Sequence, residues 1–185
     1  APVLETLARA RADSEITGFV GVLNATSGFV LDRVTSGLSF DEAIAEAQRL
    51  GLAERDVALD LDGTDAAQKL VLAARAAGIA CSVDDVATRS AEAVAPHERS
   101  AAADGRGRLR LVARFTRSPD GASDRFALRT GPALVHERHD LAFLEADECG
   151  ALVRCASGAT FRCRGRGAGR WPTTEAVLAD LFDLA

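Results

Sequence analysis

Near residue 107 the apolar pattern of this chain changes its period. Upstream, in a stretch such as Phe40, Ala43, Ile44, Ala47 and Leu50, apolar side chains recur every three or four residues. Downstream, Arg106, Arg108 and Arg110 alternate with Gly107, Leu109 and Leu111. The first spacing lines one face of a helix and the second lines one face of a strand. Helices first and paired strands later define an α+β chain, with helices packed on one face of a mostly antiparallel or mixed sheet.

Local signals place the elements. Residues 2–12 read as a helix and residues 16–23, apolar and β-branched, as a strand. Asn24 or Thr26 caps a helix over 27–35 that Gly37 closes. Ser39 and Glu42 form a capping box for the next helix, which ends at Gly51. Residues 82–95 read as another short helix or turn. Residues 96–107, polar and Ala-rich with a leading proline, read as a linker or mobile loop. A half-buried strand follows over 108–116. Its arginine row reads as a solvated face, because the chain carries a net charge of −5. A turn over 118–123, a partner strand over 125–130 and a hairpin of 150–155 with 160–163 come next. Thr173 or Thr174 caps a final helix through Leu184.

Composition sets bounds. With 48% apolar residues, 185 residues suffice for one ordinary core. The negative balance argues against a nucleic-acid partner. No apolar run reaches membrane-spanning length and no signal peptide is visible, so no membrane partner is expected. The four cysteines (Cys81, Cys149, Cys155 and Cys163) form no C-x-x-C pair. That argues against a zinc site and for free thiols in a reducing cytoplasm. His136 and His139 sit three apart without further ligand spacing and read as surface or supporting residues. The chain opens at Ala1-Pro2 without Met, as a piece of something longer would.

One stretch departs from what folding alone asks for. Residues 51–69 carry Glu54, Asp56, Asp60, Asp62 and Asp65 and end on Lys69, the only lysine in the chain. Arginine keeps its proton, whereas lysine can be tuned to release one, so a lone lysine beside carboxylates is a candidate proton donor. Leu-Asp-Gly-Thr reads as a turn into a helix over 65–77, with Asp62 or Thr64 as its N-cap and Gly78 as its stop. Asp65 and Lys69 then share a helix face. The plain alternative is an exposed ion pair worth roughly 0.3–0.5 kcal/mol, with Glu54, Asp56 and Asp60 in a solvated loop. So many acids before one base exceed what helix stability requires.

This stretch resembles the central motif of homoserine dehydrogenases, Gly-Tyr-Ala-Glu-x-Asp-Pro-x-x-Asp-x-x-Gly-x-Asp-x-x-x-Lys. Gly51, Ala53, Glu54, Asp56, Asp60, Gly63, Asp65 and Lys69 fall in register with it. Two more segments are similar to that family's patterns. Residues 21–31 match its Gly-Ile-Leu-Asn-Gly-Thr-Thr-Asn-Tyr-Ile-Leu, and residues 165–173 match its Gly-x-Gly-Ala-Gly-x-x-Pro-Thr. Leu52, Val57, Ala25 and Gly28 depart from the pattern and point to a divergent member or an altered substrate.

The resemblance implies an NAD(P)-dependent oxidoreductase that interconverts L-aspartate 4-semialdehyde and L-homoserine. It implies that Lys69 handles the proton, with Asp65 orienting it. Glu54 and Asp60 would hold the ammonium and hydroxyl of a small amino-acid substrate, and Thr26 would offer its hydroxyl and backbone N–H to the substrate carboxylate. Gly167, Ala168 and Gly169 would border the nicotinamide. By the same resemblance, residues 1–164 form the substrate-binding and dimerisation domain. Residues 165–185 pack on a nucleotide-binding domain absent from this chain, and the protein is a homodimer paired through its sheet. Two other readings stand beside it: a stand-alone protein using the pocket for non-redox acid–base chemistry on an amino acid, and a non-catalytic dimerisation or ligand-binding module.

Overall fold

The computed structural model describes residues 1–117 and 126–166. In chain order it contains α1 (Val3–Asp13), β1 (Ile16–Val22), α2 (Ala25–Thr35), α3 (Phe40–Arg49), α4 (Ala58–Leu61) and α5 (Thr64–Ala76). Then come β2 (Val86–Thr88), α6 (Pro96–Ala103), β3 (Gly107–Arg117), β4 (Phe126–His136), β5 (Glu148–Cys155) and β6 (Thr160–Arg166). Single 3-10 turns lie at Val83–Asp85 and Asp140–Phe143. The expected turn over 118–123 and the helix after Thr173 fall outside the described residues.

The strands form one six-stranded sheet in the order β2-β4-β3-β1-β5-β6. Every pairing is antiparallel except the parallel one between β2 and β4. The α+β expectation with a mixed sheet therefore holds. Alternation along β3 turns Leu109, Leu111, Ala113 and Phe115 to the helices, all fully buried. Phe115 stacks on its cross-strand partner Phe19, with ring centroids 5.3 Å apart. Against them α1 and α5 bury Leu7, Ala10, Leu70, Ala73 and Ala74. Around Leu109 and Leu111, α2, α3 and α6 bury Val30, Leu31, Ala43, Ala47 and Ala102. A fully buried Leu such as Leu70 contributes roughly 1.5–3 kcal/mol.

Three expectations need correction. Residues 96–107 are not a linker: Pro96–Ala103 is a helix. Pro96 stands in its first turn, where the missing N–H costs nothing, and the Glu98 carboxylate accepts from the Ala95 N–H at 3.2 Å. The arginine row of β3 is not uniformly solvated either. Arg110 is 2% exposed and donates to Asp32 at 2.8 Å and to the Leu144 carbonyl at 3.1 Å. The turn at Asp140–Phe143 and its successor Leu144 cover that part of the open face. Burial pulls the Arg110 guanidinium below its usual range, with Asp32 pulling the other way. Third, the second strand of the β3–β4 pair runs through His136 rather than ending at Thr130.

The caps of α2 and α3 stand as expected. Asn24 is the N-cap of α2 and Ser39 with Glu42 boxes α3. Val83–Asp85 is a short helical turn, followed by β2, which was not foreseen. His139 caps the turn at Asp140 by accepting from the Leu141 N–H, and all four cysteines are free. No helix among the described residues is long and apolar enough to cross a membrane.

Candidate active site

The acidic stretch folds as a loop, one helical turn and a long helix. Asp56 Oδ1 accepts from the Ala58 N–H at 3.0 Å and starts α4. The start of α5 differs from expectation. Its N-cap is Gly63, in the left-handed region at φ 91°, and Asp62 instead accepts from the Thr64 N–H at 2.7 Å. Glycine is required there. A Cβ would lie 2.9 Å from Thr88 Cγ2 and 3.1 Å from the Arg89 carbonyl, besides the positive φ.

This turn sets Asp65 and Lys69 on the face of α5 that looks toward the β1–α2 junction. Lys69 Nζ donates to Asp65 Oδ2 at 2.7 Å and to the Leu23 carbonyl at 3.1 Å. Asn24 Nδ2 donates to Asp60 Oδ1 at 2.6 Å and to Asp65 Oδ2 at 2.8 Å. The ion pair is partly open to solvent, with 46% of the Lys69 side chain and 26% of the Asp65 side chain exposed. Lys69 therefore keeps a free side for a ligand.

That free side meets a cavity of about 430 Å³. Lys69, Asp65, Asp60, Glu54 and Thr26 all line it, so the structure brings together every described residue expected at the site. Among the described residues the Glu54 carboxylate makes no hydrogen bond. Gln48 fixes its loop by donating to the carbonyls of Glu54 and Arg55 at 3.1 and 3.2 Å. Thr26 sits otherwise than expected: its hydroxyl donates to the Leu52 carbonyl at 3.0 Å. Its backbone N–H, in the first turn of α2, is the donor left for an anionic group. Gly167, Ala168 and Gly169 lie outside the described residues.

On its other side Lys69 borders a second, mostly apolar hollow of about 250 Å³, walled by Leu23, Leu72, Ala73 and Cys149 together with Ala1, Val3 and Leu4 at the start of the chain. Burial pushes the Cys149 thiol up, outweighing the pull of the Lys69 charge. One ammonium thus stands between a polar, acid-lined cavity and an apolar one. Among the described residues no group of three or more His, Cys, Asp or Glu side chains is placed to hold a metal ion.

Sequence reasoning missed two residues that shape the site. Gln48 ends the surface of α3 and carried no signal. Asn24, in the Gly-x-Leu-Asn segment, shows in the sequence only its role as a helix cap, not its reach to Asp60 and Asp65.

The family model described as homoserine dehydrogenase matches residues 2–182 of the chain. The chain is 35% identical to the homoserine dehydrogenase of Synechocystis over 99% of its own length and 43% of that protein's. It is 33% identical to the NAD(+)-dependent homoserine dehydrogenase of Pseudomonas canavaninivorans, over 99% of its length and 51% of the relative's. The crystal structure of a homoserine dehydrogenase from Thiobacillus denitrificans superposes with a TM-score of 0.84 at 32% identity, covering 98% of this chain and 42% of that one. The chain thus spans about half the length of the curated relatives it matches.

Proposed function

The chain belongs to the homoserine dehydrogenase family, and on that premise we propose that it forms the substrate-binding and proton-transferring part of an enzyme interconverting L-aspartate 4-semialdehyde and L-homoserine. The observation that carries this reading is the shared cavity: the only lysine in the chain faces Glu54, Asp60 and Thr26 across it.

The chemistry follows from what each residue offers. Glu54 and Asp60 present carboxylates that suit a substrate ammonium, and the Thr26 N–H suits its carboxylate. A carbonyl oxygen placed beside Lys69 becomes an alkoxide when a hydride reaches its carbon. The Lys69 ammonium gives that oxygen a proton, and in the reverse direction the amine takes it back. Asp65 and the Leu23 carbonyl each accept one Lys69 N–H and so point the third at the cavity.

A nicotinamide dinucleotide, when bound, supplies or accepts the hydride. The apolar wall of Leu23, Leu72, Ala73 and Cys149 beside Lys69 suits the face of a flat ring. The described sheet offers no Gly-rich strand-to-helix turn within a βαβ unit to grip phosphates. We propose that residues outside this chain supply most of that grip. Hydride transfer by the isolated chain is accordingly expected to be absent.

The open sheet face supports pairing of two copies. Val20, Ala133 and Leu152 are only half-buried there, and Phe143, next to the buried Ala142 of the same cluster, is 60% exposed. Sedimentation of the protein with Phe143→Asp should show a shift toward monomer.

The complete natural protein, assayed with L-homoserine and NAD+ or NADP+, should reduce the nicotinamide. No turnover with either cofactor would overturn the reading.

A further inference from the structure

We infer that Asn24 is a positioning residue of this site, a role beyond its cap of α2; the inference rests on the reaction proposed above. The residue is 4% exposed, and each polar atom of its side chain is committed. Oδ1 accepts from the Ser27 N–H at 2.8 Å. One amide N–H goes to Asp60 at 2.6 Å and the other to Asp65 at 2.8 Å. The opposite placement of O and N would set an acceptor against two carboxylates and lose all three bonds.

The consequence lies in how Leu23 and Asn24 grip the catalytic pair from both ends. The Leu23 carbonyl holds the ammonium of Lys69 and the Asn24 amide holds the carboxylate of Asp65. The same amide ties Asp60, from α4, to Asp65, from α5. Two carboxylates facing each other would spread apart by repulsion, and two neutral donors between them remove that drive without adding a charge. Asn24 thereby fixes the distance between the group that holds substrate and the group that orients the proton donor.

A cap alone does not need asparagine. Aspartate and serine cap helices about as well, and each keeps an acceptor for the Ser27 N–H. Neither supplies two donors. Asn24→Ser and Asn24→Asp in the complete natural protein therefore separate the roles. Both variants should keep helical content by circular dichroism. Their kcat for homoserine oxidation should fall about 100-fold, the scale of a roughly 1 Å misplacement. Asn24→Ser should change KM by far less than kcat. Asn24→Asp, which crowds a third carboxylate onto the other two, should be the more damaging to both kcat and thermal midpoint. Wild-type kcat in a folded Asn24→Ser protein would overturn the inference while leaving the reaction intact. Absence of turnover in the wild-type protein would instead overturn the reaction. In that case a double-mutant cycle of Asn24→Ser with Asp65→Asn in urea decides. Non-additive midpoints support the grip, and additive ones overturn it.

Discussion

Lys69 and Asp65 form a 2.7 Å ion pair one helical turn apart, and the accepting oxygen is the same one that Asn24 reaches at 2.8 Å. An exposed pair of this spacing contributes about 0.3–0.5 kcal/mol to stability. Its chemistry should matter far more than its stability. Asp65→Ala in the complete natural protein should lower kcat about 100-fold, because the ammonium loses its orientation. Its urea midpoint should fall modestly, because the buried Asn24 amide loses one of its two acceptors at a cost of roughly 1 kcal/mol. Steady-state kinetics and equilibrium unfolding on the same preparation check both.

Asp32 is the counter-charge of a buried guanidinium. It accepts from Arg110, 2% exposed, and from Arg108. Removing one partner of a buried pair costs about 3–5 kcal/mol, since the other charge stays buried alone. Asp32→Ala should therefore destabilise severely. Arg110→Met, which removes the buried charge itself, should cost distinctly less. Urea unfolding of the two variants ranks them.

Two glycines of the acidic stretch, Gly51 and Gly63, have positive φ, but their surroundings differ. Around Gly51, at φ 71°, a Cβ would meet nothing within 4 Å, whereas at Gly63 it strikes Thr88 and the Arg89 carbonyl. Gly51→Ala should cost about 1–2 kcal/mol for the left-handed backbone alone. Gly63→Ala should cost more and should also lower kcat, because this residue sets the start of α5 and so the aim of Lys69. Thermal midpoints measure the difference.

The capping box of α3 gives a pH signature. The Ser39 N–H and hydroxyl both donate to Glu42 and hold its carboxyl below the ordinary range. A depressed carboxyl stabilises the fold above its ordinary range and loses that contribution as pH falls through the depressed value. Ser39→Ala should cost about 1 kcal/mol near neutrality. The gap between wild type and variant should narrow on acidification below the ordinary carboxylate range.

Much of this was legible in the sequence, for physical reasons particular to each segment. The period change at Gly107 marks β3 because strand alternation over that many residues has no helical counterpart. Ser39 and Glu42 announce α3 through a local bond pattern that tertiary contacts do not disturb. Lys69 stood out by its solitude, and Asp65 by its spacing. What failed depended on distant partners. Strand β2 is three residues long and exists only because Val86–Thr88 finds Leu128–Thr130. Residues 96–107 read as a linker because their polar, Ala-rich composition carries no apolar face, and only packing against the sheet makes Pro96–Ala103 a helix. Arg110 looks like Arg106 and Arg108 in the sequence, since the groups that enclose it, Asp32 and the Asp140–Leu144 segment, lie far along the chain. Asn24 showed one role to local reading, and the other appears once α4 and α5 fold over it.

The central claim is that the Lys69 ammonium is the proton-transferring group of this cavity. Lys69→Met in the complete natural protein, assayed for homoserine oxidation beside wild type, tests it most directly. The account predicts a kcat lower by about 100-fold to 10,000-fold, the range of general acid–base assistance, with a nearly unchanged thermal midpoint. A folded Lys69→Met protein that turns over at the wild-type rate would contradict it.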